Sequence, residues 1–142
     1  MDELIKGGEV IALFCRININ TKRELPIRSS EMGLLIFIVK EEGEHTPLEI
    51  SEFFKVTKPM VTAMVNSLVK KEYITKVKSS VDKRSFIVKP TEKAVSIVNK
   101  TYNEYFKNMQ TLRTCLGNHE FSELIELLTK ANSILLEEKN NG

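Results

Sequence analysis

Several kinds of protein depend on residues that this 142-residue chain has in short supply. Its six glycines form no phosphate-cradling loop, and no Ser/His/Asp or Cys/His arrangement stands in a catalytic motif, so an enzyme is not expected. The two histidines, His45 and His119, lie 74 residues apart and outside any His/Cys ligand cluster, which gives no basis for a metal site or a cofactor. Glu42, Glu44 and His45 read simply as a solvated loop. The two cysteines, Cys15 and Cys115, are a hundred positions apart with no CxxC-type spacing. Each falls in a helical pattern, where a small buried apolar side chain is the expectation. A redox thiol is the alternative, and it would need a pKa lowered by nearby positive charge. The longest apolar run, Leu34 to Val39, is far short of the roughly 18 residues that suggest a membrane span. The N-terminal residues show no basic segment followed by an apolar core, so no secretory signal is read and a cytoplasmic protein is expected.

What the chain does have is an uneven charge. Between Lys55 and Lys100 it carries eleven Lys/Arg against three Asp/Glu, while the other 96 residues carry ten against sixteen, and the overall +2 hides the difference. Concentrated positive charge suits a polyanion, because each neutralised phosphate releases condensed counterions and so drives binding. Nucleic acid is therefore the first partner to consider. With 42% hydrophobic and 28% charged residues, the chain has the composition and size of one globular domain.

Helix signals are dense from the middle onward. Thr46-Pro47-Leu48-Glu49 offers an N-cap threonine, a proline at the first helical position and a glutamate three residues after the cap, a capping box. Ile50, Phe53 and Phe54 give that helix an apolar face. Thr57 can cap a second helix, whose Pro59 is tolerated in the first turn, where amides lack intrahelical partners. Val61, Met64, Val65 and Leu68 form its buried stripe, opposite Lys58, Thr62, Ala63, Asn66, Ser67 and Lys70. That second face is free of bulk and carries groups able to hydrogen-bond base edges, so the pair reads as helix-turn-helix. The segment Ser30 to Lys40 reads as a further, mostly buried helix.

Residues Tyr73 to Lys78 and Ser85 to Lys89 are β-branched and aromatic, and they flank a polar, basic tip. A hairpin in that place makes the order that of a winged helix, even though any one of its lysines could be a solvated surface charge. After Pro90-Thr91, the residues Val95, Val98, Tyr102, Tyr105, Met109, Leu112 and Leu116 recur at steps of three and four. They predict one helix of about 25 residues, about 38 Å long. Gly117 ends it, and Asn118 can cap a last helix with Phe121, Leu124, Leu128, Ala131 and Leu135 at the same steps. Val10, Leu13, Phe14 and Ile17 give the N-terminal segment a similar stripe. Packing within one chain explains such stripes as well as packing between two. A two-fold dimer is favoured because it places two reading helices one DNA turn apart, about 34 Å.

With these elements in order, the sequence resembles the multiple-antibiotic-resistance regulator (MarR) family over nearly its whole length. Leu48 to Ala94 is the most specific stretch: Asp82-Lys83-Arg84-Ser85 matches the wing signature of Asp, any residue and Arg, and Pro90-Thr91-Glu92-Lys93 matches the opening of the long dimerisation helix. The resemblance implies a mainly α fold with a small β-hairpin wing (α+β), a single domain over residues 1–142. A winged-helix lobe would span about 30–90, and a helical dimerisation region about 3–20 and 91–139. It implies a homodimeric transcriptional regulator, a repressor, on a two-fold symmetric double-stranded DNA operator, with affinity modulated by a small molecule or other signal. On this resemblance the DNA-binding residues are Thr57, Lys58, Pro59, Thr62, Ala63, Asn66, Ser67, Lys83 and Arg84. Asp82 would brace the wing by ion pairing, although a turn role suits it equally. Three positions depart from the pattern: Glu72 and Ala94 stand where glycine is frequent, and Ala63 where a basic residue is common. The alternative function is a winged-helix protein-interaction module that meets an acidic partner.

Overall fold

The computed structural model describes residues 1–21, 24–82 and 84–141. Its elements run α1 (Glu3–Asn20), α2 (Ser29–Lys40), α3 (Pro47–Phe54), α4 (Lys58–Lys70), β1 (Ile74–Lys78), β2 (Phe86–Pro90), α5 (Glu92–Tyr105), α6 (Lys107–Leu116) and α7 (Asn118–Asn141). The chain is thus mainly helical with one antiparallel hairpin, β1 paired to β2 with Ile74 opposite Pro90 and Lys78 opposite Phe86. Local chemistry sets most boundaries. Asp2 accepts the Leu4 amide at 2.7 Å, Thr46 accepts the Glu49 amide at 3.1 Å, and Thr91 accepts the Ala94 amide at 3.2 Å, so each supplies an acceptor to a helix start that otherwise lacks one.

The chain divides into two compact units, Arg23–Tyr105 and Met1–Lys22 with Phe106–Gly142. In the first, α2 lies at the centre of the core. Met32, Leu34 and Leu35 are fully buried, and the core they belong to includes Ile50 of α3, Val61, Val65 and Leu68 of α4, Ile74 of β1, Val88 of β2 and Ala94 and Val98 of α5. Burying one such aliphatic side chain fully contributes about 1.5–3 kcal/mol. In the second unit no described residue of α1, α6 or α7 is buried, although Asn108 of α6 donates to Asn18 and Thr21 at 3.2 and 3.0 Å.

Five expectations change. Phe53 is 60% exposed, and it stacks on Phe37 at 4.5 Å instead of entering the core. Met64, at the edge of the α4 stripe, is only half-buried. Cys15 and Cys115 are exposed, since the helices that carry them bury nothing in a single chain. His45 is buried, not part of a solvated loop. The long helix is two helices, interrupted at Phe106 (φ −99°, ψ 14°) with no proline or glycine at the break. Tyr105 closes α5 against α2 so tightly that a Cβ added at Gly33 would lie 2.7 Å from its hydroxyl, a tertiary contact that periodicity cannot reveal.

Candidate nucleic-acid interface

The helix-turn-helix is built by a sharp turn. Lys55 ends α3 in the left-handed region (φ 55°), and Ser51 donates from its hydroxyl to the Val56 carbonyl at 2.7 Å. Thr57 then opens α4, its hydroxyl oxygen accepting the Met60 amide at 3.4 Å. With Val61, Val65 and Leu68 turned inward, Thr57, Lys58, Pro59, Thr62, Ala63 and Asn66 are all exposed, and Ser67 is half-buried. Lys58, Thr62 and Asn66 form one row at steps of four, and Pro59, Ala63 and Ser67 form the next.

Three polar groups on this helix already have partners. Thr62 donates to its own helix at the Lys58 carbonyl, 3.0 Å away. Asn66 accepts from Lys76 of β1 at 3.0 Å, which leaves its amide NH2 group for a base edge. Lys76 also lies 4.9 Å from the Phe86 ring centroid, so its ammonium is held between the wing and the helix. Ser67 donates at 2.9 Å to one oxygen of Glu31, whose other oxygen accepts from Lys71 at 2.9 Å. Glu31 is 4% exposed. Burial opposes its ionisation, but hydrogen bonds from Lys71 and Ser67 and the charges of Lys71 and Arg28 outweigh burial and hold the carboxyl below the ordinary glutamate range. The result is a clamp from the first turn of α2 onto the back of α4.

The wing is bound to the end of α4 just as closely. Glu72 takes the left-handed conformation (φ 66°) that glycine adopts cheaply, so the chain leaves the helix in the usual way despite the substitution. Thr91 donates to the Glu72 and Tyr73 carbonyls at 2.8 and 3.1 Å, and Lys93 donates to the Lys71 carbonyl at 2.8 Å while lying 4.4 Å from the Tyr73 ring centroid. At the tip, Ser79 accepts the amides of Val81 and Asp82, and Asp82 accepts the Arg84 amide at 2.9 Å. Asp82 thus takes the turn role that its residue type suits, through the Arg84 backbone amide, whereas the family resemblance implied an ion pair. Lys83 lies outside the described residues.

This geometry brings charges from separate elements together. A groove of about 510 Å³ is lined by the start of α3, by Lys58 and Thr62 of α4 and by Asp82, Arg84 and Phe86 of the wing. Among the described residues no group of three His, Cys, Asp or Glu could hold a metal ion, and no helix is long and apolar enough to cross a membrane. Sequence reasoning passed over Glu31 and gave Lys76 no separate role, and it placed His45 in a solvated loop. For Glu31 a signal was available, an acid inside an otherwise apolar helix; for Lys76 nothing in the sequence distinguished it from its neighbours.

A profile of the MarR family matches residues 30–86. An uncharacterised HTH-type transcriptional regulator, YpoP of Bacillus subtilis, is 30% identical over 99 residues, 68% of each chain. Among solved structures, the adhesin competence repressor AdcR of Streptococcus pyogenes superposes with a TM-score of 0.69 at 16% identity, covering 96% of this chain and 99% of that one. Wild-type ZitR of Lactococcus lactis in complex with DNA superposes with a TM-score of 0.66 at 23% identity, covering 97% and 98%.

Proposed function

Because the chain belongs to the MarR family of winged helix-turn-helix transcriptional regulators, we propose that it binds a two-fold symmetric DNA operator as a homodimer and represses transcription there. A small molecule or another signal would set its affinity. The observation that carries the reading is the groove that Lys58 of the recognition helix and Arg84 of the wing both line. Two cations from different elements can then hold one DNA backbone or groove edge, while Thr62, Ala63 and the free end of Asn66 face the bases. Lys58, Thr57 and Pro59 lie at the helix start, the end that enters the major groove in this motif. The similar fold of ZitR in complex with DNA, and that of the repressor AdcR, support the reading.

Affinity for DNA upstream of its own coding sequence, measured against unrelated duplex at several salt concentrations, tests it. Tighter binding to the first, with log affinity falling linearly in log salt, is the expected outcome. Equal and weak binding to both would reject it. The engagement of the Thr62 and Ser67 hydroxyls within the protein favours one second reading, a winged helix that docks an acidic protein partner. Stoichiometric capture of such a partner without DNA enrichment would establish it.

A further inference from the structure

His45 is 3% exposed, and it lies where three elements of the DNA-binding unit meet. Its Nδ1 is 2.8 Å from Oε1 of Glu49 on α3, and its Nε2 is 2.8 Å from the backbone carbonyl oxygen of Glu41 at the end of α2. The Phe37 ring of α2 covers it, with centroids 5.1 Å apart. Its own carbonyl accepts the Val88 amide of β2 at 2.9 Å, the bridge that ties the wing to the loop before α3.

Both ring nitrogens thus face oxygen atoms that accept. A carbonyl oxygen has no proton to give, and an ionised carboxylate has none either. Only an imidazolium, protonated at both nitrogens, makes both bonds at once. A neutral ring keeps one and turns a lone pair toward the other oxygen. The groups facing His45 are the Glu49 carboxylate from α3, the Glu41 carbonyl and Phe37 ring from α2, and the uncharged Val88 backbone from β2. The same loop holds the wing a second time through Glu44, which accepts from the Ser80 hydroxyl at 2.8 Å. Movement of this loop therefore reaches both the base and the tip of the hairpin that carries Arg84.

The geometry points to His45 as a proton-dependent positioning residue: with both nitrogens protonated it fixes the wing for DNA, and loss of one proton loosens it. This rests on the DNA-binding reading above. The tie is complete while the ring carries both protons and is lost as pH rises and one leaves. The chain helps the test, because its only other histidine, His119, is on α7, highly exposed and 3.0 Å from Glu123.

The experiment uses the full chain between about pH 5.5 and 8, the range in which imidazole changes charge. One arm needs no DNA: NMR follows the two histidine ring resonances together with the exchange protection of the Val88 amide. Val88 protection should fall as the His45 ring loses its proton, in wild type and His119→Gln alike, and should be independent of pH in His45→Gln. The second arm measures affinity for the operator duplex. It should weaken roughly three- to tenfold across the same range, as the loss of about one hydrogen bond allows, and stay level in His45→Gln. If His45→Gln fails to fold, wild type and Glu49→Gln carry the same comparison, with the dependence reduced in the latter. Val88 protection that ignores the His45 titration overturns the inference, and so does protection that follows it while affinity does not. Absence of DNA binding at every pH would instead overturn the DNA-binding reading, with the Val88 measurement still deciding the clamp.

Discussion

The two compact units of this chain differ in where their apolar residues go. Residues 23–105 contain all fifteen buried apolar residues found among the described ones. Helices α1, α6 and α7 bury none, yet they expose Ile11 by 63%, Ile17 by 53%, Ile134 by 56% and Leu135 by 68%. Their helical stripes are as regular as those of the core, so periodicity alone does not say whether a stripe is satisfied inside one chain. A monomer that left so much apolar surface in water would be unusual, and covering it with a second copy fits the homodimer proposed above.

The largest expected effect follows from that contrast. Ile11→Asp combined with Leu135→Asp puts charges on the apolar surface of the second unit and should weaken self-association by at least about 3 kcal/mol, the scale of an unpaired buried charge. Sedimentation equilibrium should give twice 16.2 kDa for the wild type and 16.2 kDa for the double variant. The wild-type unfolding midpoint should also rise with protein concentration, which only an associating fold does. A wild-type monomer at tens of micromolar would end the dimer proposal and leave the exposed stripes for some other partner.

Arg84→Ala tests the other unit. It should weaken operator binding by about 1 to 3 kcal/mol if the side chain reaches a DNA groove. Its stability should barely change, because the wing turn uses the Arg84 backbone amide, bonded to Asp82, and not the guanidinium. Equal affinity in titrations of the two proteins would take Arg84 out of the site.

Glu31→Gln comes next, and it separates positioning from contact. The variant keeps an acceptor for Ser67 and loses the charge that Lys71 meets. Since Lys71 is 41% exposed and partly screened, the expected loss is about 1 to 2 kcal/mol of unfolding free energy. The sign with pH follows from the lowered pKa of Glu31: its contribution is present above the range where an unfolded glutamate titrates, about 4.3, and is lost as pH falls below it. Denaturant titrations from pH 3 to 7 should show a steeper acid limb for wild type than for the variant.

How much of this was legible in the sequence depended on range. The Thr46 and Thr57 caps, the Pro47 and Pro59 placements and the hairpin follow from chemistry within a few residues, and each stands where it was read. The capping box shows a different limit: Thr46 accepts the Glu49 amide as read, but the Glu49 carboxylate is bonded to the ring of His45, four residues earlier, a partner that the capping pattern does not name. Ser67 was read as a base contact from its place on the exposed side of α4, but its hydroxyl is committed to Glu31, 36 residues earlier in the chain. The break at Phe106 and the exposure of both cysteines likewise depend on what packs against a helix, which spacing does not encode.

The smallest effect concerns the join between recognition helix and wing, on which the stiffness of the DNA-binding unit depends. Glu72 holds φ 66° although its side chain is exposed, and a left-handed conformation costs a residue with a Cβ about 1–2 kcal/mol. Thr91 and Lys93 hold the flanking carbonyls of Glu72, Tyr73 and Lys71, so the surrounding bonds keep the backbone there whatever the residue. Glu72→Gly removes the strain but gives the unfolded chain more freedom, which returns about 0.4–1 kcal/mol of it. The net expectation is a gain of about 0.5–1 kcal/mol in unfolding free energy, with operator affinity unchanged. A loss of stability would mean that the Glu72 side chain does more at this turn than tolerate it. The same substitution should leave the dimer mass untouched, since it lies in the unit that already buries its own core.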